Sequence, residues 1–179
     1  MAFRFRRSLI ALACSLSVAS ASAQRYFFEN IGVPEGLPAS KVYALLQDST
    51  GLVWLGTEAG LASYDGNSVR TFGGAQHMAR SGVRSLFLDD KQRLWAGHLG
   101  GGLSLGERSV FRKLDVPGAP LTRDITGIAE DGKGAIWVTT FGDGALRITD
   151  VPDNGPVKAD RFGSAKGISA VDEINFAGD

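Results

Sequence analysis

The chain contains three tryptophans, Trp54, Trp95 and Trp137, and each stands six residues after an aspartate: Asp48, Asp89 and Asp131. Their spacing of 41 and 42 residues constrains the fold more than any other feature, because a fixed period of this length makes each repeat one supersecondary unit stacked on its neighbours. The rest of each unit returns in the same order. The first runs Val42 to Asp48, Gly51 to Thr57, Gly60 to Gly66 and Ser68 to Phe72. The second runs Val83 to Asp89, Arg93 to Gly97, Gly102 to Leu105 and Val110 to Leu114. The third runs Ile125 to Asp131, Ala135 to Thr140 and Gly144 to Ile148, with a less regular segment at Val157 to Phe162.

These stretches are short, rich in Val, Ile, Leu and aromatics, and bounded by Gly, Asp, Asn and Ser, which is the pattern of antiparallel strands. Four strands in about 41 residues, repeated, define a propeller blade. The predicted fold is all-β: a partial β-propeller of three four-stranded blades at residues 37–73, 78–114 and 120–163. Residues 167–179 align with 36–48 and are expected to form the first strand of a fourth blade. A ring closes with roughly four to eight blades, so further blades are expected in a longer protein. Within each unit, the aspartate is expected to accept a backbone N–H two residues on and shape the turn, with Gly51 and Gly134 supplying positive φ. The tryptophan face is expected to pack between adjacent sheets, and Gly60, Gly102 and Gly144 to permit the next reversal.

Residues 1–23 read differently. Arg4, Arg6 and Arg7 precede an apolar run from Leu9 to Val18 and the small-residue stretch Ala19 to Ala23, the pattern of a secretory signal peptide cleaved before Gln24. The apolar run is shorter than the ~20 residues of a spanning helix. The single cysteine, Cys14, lies within it, and Ala11-Leu-Ala13 fits a lipoprotein signal poorly. Cleavage leaves a chain, 24–179, without disulfides or thiolate chemistry. It also removes three arginines and no acid, turning a formal charge of zero into a small acidic excess. With no basic stripe, no nucleic-acid partner is expected.

The string Gly36-Leu-Pro-Ala-Ser40, Val42, Asp48-Ser-Thr-Gly-Leu-Val-Trp54-Leu-Gly-Thr57, Gly60-Leu61 and Tyr64-Asp-Gly66 resembles the two-component regulator propeller repeat. The resemblance covers nearly all of residues 24–179. It implies a periplasmic input module of a membrane protein whose output is a histidine kinase, a hybrid response regulator or a diguanylate cyclase. The implied partners are a small-molecule or saccharide ligand, the remaining blades and membrane signalling domains. The second unit lacks the turn glycine, reading Asp89-Asp-Lys-Gln-Arg93, and has His98 in place of Thr57. The third has Thr139 in place of Gly56 and Gly97, so its hairpin is expected to differ in shape. No Trp is followed by Asp, as in WD40 units, and Asp-box repeats set Asp and Trp one residue closer.

No enzymatic chemistry is expected within the chain. Gly97-His-Leu-Gly-Gly-Gly102 aligns with the hairpin Gly56 to Gly60 and is not followed by the Lys of a phosphate loop. Asp150 and Asp153-Asn-Gly155 lack the rest of a calcium loop. The two histidines, His77 and His98, have no partner at zinc spacing, and Gly-x-Ser-x-Gly does not occur. Neither a metal nor a cofactor is predicted. The loops between second and third strands and those joining blades open on one face, the expected ligand surface. It draws Glu58, His98 with Leu99, Phe141 and Asp143 from the hairpins and His77, Arg80 and Arg123 from the connections. A secreted propeller lyase or glycosidase, or a scaffold for protein contacts, is the alternative reading.

Overall fold

A computed structural model describes residues 28–72, 78–79, 82–107, 110–117, 121–153 and 155–163. The leader with Cys14, the fourth-blade segment 167–179, His77 and Arg80 lie outside the described residues. The chain divides into two compact units, Met1–Asn30 and Ile31–Asp179. Of the first, only Phe28–Asn30 are described, and they form no regular element.

The second unit opens with a 3-10 turn, Val33–Glu35, and continues as twelve strands. β1 (Val42–Gln47), β2 (Val53–Thr57), β3 (Leu61–Tyr64) and β4 (Val69–Phe72) form one antiparallel sheet in chain order. β5 (Val83–Leu88), β6 (Leu94–His98), β7 (Leu103–Glu107) and β8 (Val110–Leu114) form the second. β9 (Ile125–Glu130), β10 (Ile136–Thr140), β11 (Gly144–Asp150) and β12 (Lys158–Phe162) form the third. The first strands β1, β5 and β9 lie beside one another, so the sheets radiate from a shared axis as the predicted blades.

The repeated aspartate does more than shape a turn. In each blade one carboxylate oxygen accepts the backbone N–H groups two and four residues on. Asp48 takes them from Thr50 at 2.9 Å and Leu52 at 3.1 Å, and Asp89 from Lys91 at 3.0 Å and Arg93 at 2.8 Å. Asp131 takes them from Lys133 at 2.9 Å and Ala135 at 3.0 Å. The other oxygen accepts the indole N–H of the tryptophan six residues on, at 3.0, 2.9 and 3.0 Å in the three blades. One side chain thereby ties the β1–β2 type of turn to the middle of the second strand. Burial pushes the Asp48 carboxyl up, but the Thr50 and Trp54 bonds outweigh it and hold the group below its ordinary value. Trp137, the backbone of Ala135 and Lys133, and Arg147 hold Asp131 well below the carboxylate range. Arginine reinforces two of these clasps from different places: Arg93 from the turn, 2.7 Å from Asp89, and Arg147 from β11, 3.3 Å from Asp131.

Two apolar cores fill the gaps between blades, each meeting on the tryptophan side of one sheet and the opposite side of the next. Trp54, Leu61 and Phe72 pack on Val83, Leu94 and Phe111, with the Trp54 and Phe111 rings 6.1 Å apart. Trp95, Leu103 and Leu114 pack on Ile125, Ile136 and Val138. The sheets approach closely because the residue two beyond each of these tryptophans is glycine: a Cβ on Gly56 would stand 2.9 Å from Val83. The far side of the first blade has no such neighbour among the described residues. Val42 is 40% exposed and Leu45 69%, where Val83 and Ile125, the counterparts of Val42, are fully buried.

The second turn keeps the common shape without glycine, because Gln92 itself adopts φ +60°, matching Gly51 at +90° and Gly134 at +79°. Its side chain accepts the Ser49 hydroxyl at 2.6 Å, linking the turns of neighbouring blades. Hairpin shape follows loop length and not Thr139: two residues separate Thr57 from Gly60, whereas three separate His98 from Gly102 and Thr140 from Gly144. Thr139 sits inside β10 opposite Gly127, its hydroxyl 2.9 Å from that of Thr126.

Candidate functional site

Each first strand carries a bulge at the same position. In β1 the pairing passes from Ala44↔Gly56 to Val42↔Thr57, leaving Tyr43 as the extra residue; Arg84 in β5 and Thr126 in β9 stand in the same place. A bulge re-aims the side chain it carries. Here Tyr43, Arg84 and Thr126 line a single cleft of ≈ 240 Å³ among the three first strands. No repeated motif in the sequence marks these residues.

Charged groups of both signs neighbour two of these three side chains. Lys41 Nζ stands 5.0 Å from the Tyr43 ring centroid, and its bond with the Tyr43 side chain, with Glu58 near by, pushes the ammonium above its ordinary pKa. Arg84 pairs with Asp124 at 3.1 Å, and Asp124 also accepts the Gly100 N–H at 2.7 Å, tying the second hairpin to the third blade. Both partners of the ion pair stay about 30% exposed, at 29% and 30%. An aromatic plane, donors and acceptors thus stand together at an axial, solvent-accessible position.

The predicted surface residues take distinct places. Glu58 is exposed in the β2–β3 hairpin, with its N–H on the Lys41 carbonyl at 3.1 Å. Phe141, 48% exposed, and Asp143 form the β10–β11 hairpin, the latter 4.0 Å from Arg161. Arg123 is exposed in the connection ahead of β9. His98 departs from its expected place on the ligand surface: it ends β6, is fully buried and engages both ring nitrogens, to Gly82 and Ser104. Among the described residues no group of three His, Cys, Asp or Glu side chains is arranged to hold a metal. A larger cleft, ≈ 1000 Å³, opens elsewhere between the second and third blades beside Lys91, Arg93, Glu107 and Arg112. Its two arginines are engaged, Arg93 with Asp89 and Arg112 with the Pro152 carbonyl, and it is an open groove on the side of the aspartate turns.

Comparison with known proteins agrees with the blade architecture. The family model described as two component regulator propeller matches residues 36–59, the first-blade segment from Gly36 through the Asp48–Trp54 clasp. No curated protein matches the chain in sequence. Among solved structures, the extracellular domain of BT4673 from B. thetaiotaomicron, assigned to a hybrid two-component system, is similar with 23% identity and a TM-score of 0.57, over 73% of this chain and 18% of that one. The extracellular domain of BT3049 from the same organism, likewise assigned, is similar with 20% identity and a TM-score of 0.57, over 70% and 18%. Virginiamycin B lyase from Staphylococcus aureus is similar with 16% identity and a TM-score of 0.54, over 71% and 43%. The chain thus spans less than a fifth of the two extracellular domains and less than half of the lyase. The family match and the first Asp–Trp clasp coincide on one segment of the first blade, residues 36–59.

Proposed function

We propose that the chain is part of a periplasmic ligand-sensing propeller that feeds a transmembrane signalling protein of two-component or cyclic-dinucleotide type. The observation that carries this reading is the convergence of three chemically different bulge side chains, Tyr43, Arg84 and Thr126, on one axial cleft in a fold built of this repeat. The leader-like first residues and the extracellular setting of the solved relatives support export. The ligand is a small polar molecule, of saccharide type, that stacks on Tyr43 and takes hydrogen bonds from Arg84 and Thr126. Glu58, Phe141 and Arg123, from two hairpins and the connection ahead of β9, supply further contacts in this reading. The lyase likeness lies in the fold alone.

A thermal-denaturation panel of mono- and oligosaccharides on the exported protein tests this. A ligand at a hundred times its Kd adds about 2.7 kcal/mol to stability. Tyr43→Ala is expected to abolish that gain and Phe141→Ala to weaken it. Both are exposed or half-buried, so unliganded stability should change by about 0.5 kcal/mol or less. A gain that survives Tyr43→Ala in full places the ligand elsewhere.

A further inference from the structure

We propose that His98 is an acid-released tether of the link between the first two blades. It ends β6 where Thr57 and Thr140 end the second strands of the other blades, opposite Val83, Val42 and Ile125 in the same register. Those threonines close their own hairpins, the hydroxyls donating to the carbonyls of Gly60 at 2.8 Å and Gly144 at 2.9 Å. His98 also reaches outside its hairpin. Its Nδ1 lies 3.0 Å from the Gly82 carbonyl oxygen and its Nε2 2.8 Å from Ser104 Oγ, which in turn accepts the Ala79 N–H at 2.8 Å.

The two ends of this chain of bonds fix every proton in it. The Gly82 carbonyl can only accept, so Nδ1 carries the hydrogen. The neutral ring then presents a lone pair at Nε2, and the Ser104 hydroxyl donates to it. Ala79 and Gly82 both belong to the β4–β5 link, and Met78 of that link is buried in the core between the blades. The Leu99 N–H meets the same Gly82 carbonyl at 3.1 Å. One imidazole and one hydroxyl therefore pin both halves of the link.

A second proton on the ring turns Nε2 into a donor, so the Ser104 hydroxyl must rotate its own hydrogen away from the ring, and it puts a cation at a position with no solvent exposure. The charged side chains on the elements around it are Glu58 of the first hairpin, Arg84 of β5, and Arg123 and Asp124 ahead of β9. Arg84 and Asp124 hold one another. The link also carries His77 and Arg80, which lie outside the described residues. Release of the ring frees Ala79 and Gly82 together and loosens the link beside the candidate ligand face. The release is a property of the fold and does not depend on which ligand binds there.

Hydrogen exchange of the Ala79 and Leu99 amides in the whole chain, followed by NMR and corrected for intrinsic rates, tests the tether. Protection of both is expected to fall about tenfold between pH 7.5 and pH 5. His98→Thr, which restores the residue of the other blades, is expected to show no such pH dependence, and His77→Gln to keep it. Equal corrected protection at the two pH values in the unmodified chain overturns the proposal by itself, whether or not the variants fold. So does a fall that persists in His98→Thr or disappears in His77→Gln.

Discussion

Asp89→Ala is expected to destabilise the protein by about 3–5 kcal/mol, the loss found when one partner of a buried charged pair is removed. The Asp89 carboxylate is fully buried and accepts four hydrogen bonds: the N–H groups of Lys91 and Arg93, the Arg93 Nε–H at 2.7 Å and the Trp95 indole at 2.9 Å. Alanine leaves a fully buried indole N–H and a guanidinium without their acceptor while the surrounding core stays apolar. Domains of this size have only about 5–15 kcal/mol of stability in total, so the second blade should lose cooperative folding near room temperature. Asp48→Ala and Asp131→Ala remove the corresponding backbone and indole bonds at half-exposed sites where water replaces them, and about 1–2 kcal/mol is expected. Urea unfolding followed by tryptophan fluorescence ranks the three. Equal losses would mean that burial of the clasp does not matter.

Gly97→Ala is expected to lower stability by about 3 kcal/mol through overpacking between the second and third blades. The added methyl carbon would lie 2.4 Å from Ile125 Cγ2 and 2.4 Å from Ser85 Oγ. β9 cannot simply retreat, because Ser85 Oγ donates to the Ile125 carbonyl at 3.1 Å and Arg84 holds Asp124. Gly132→Ala, with nothing within 4 Å of the new atom, serves as the control and should stay within about 0.5 kcal/mol of the parent. Combining Gly97→Ala with Ile125→Ala removes the side chain that is struck, so the double variant should lose less than the two single losses together. Strict additivity in thermal or urea unfolding would show that the blades do not meet there.

Blade number, strand order and the turn aspartates were legible because each leaves a local mark that repeats at a fixed spacing. The indole bond was present in the sequence only as the constant six-residue offset between Asp and Trp, and spacing alone does not say that two side chains touch across a turn. Gln92 hid its conformation, since a left-handed glutamine looks like any other residue until its φ is seen. His98 was read as a loop residue because it replaces Thr57 at a strand end, where one position separates a buried pair from a solvated turn. The bulges at Tyr43, Arg84 and Thr126 escaped notice for a different reason. A bulge is a mismatch in count between two strands, and neither strand shows it alone. The available signal was weak: a position following a β-branched residue in each first strand where Tyr, Arg and Thr succeed one another while the neighbours stay apolar or small.

Three Asp–Trp clasps mark equivalent places in three successive blades. Indole N–H signals in a nitrogen-15 correlation spectrum report on this equivalence directly. Three exchange-protected indole resonances are predicted, and Asp48→Ala, Asp89→Ala and Asp131→Ala should each shift and deprotect the signal of the tryptophan six residues on, with the mildest variants, Asp48→Ala and Asp131→Ala, leaving the other two in place. Indoles that exchange as freely as in an unfolded chain, or an Asp131→Ala variant that leaves the Trp137 signal unmoved, would contradict it.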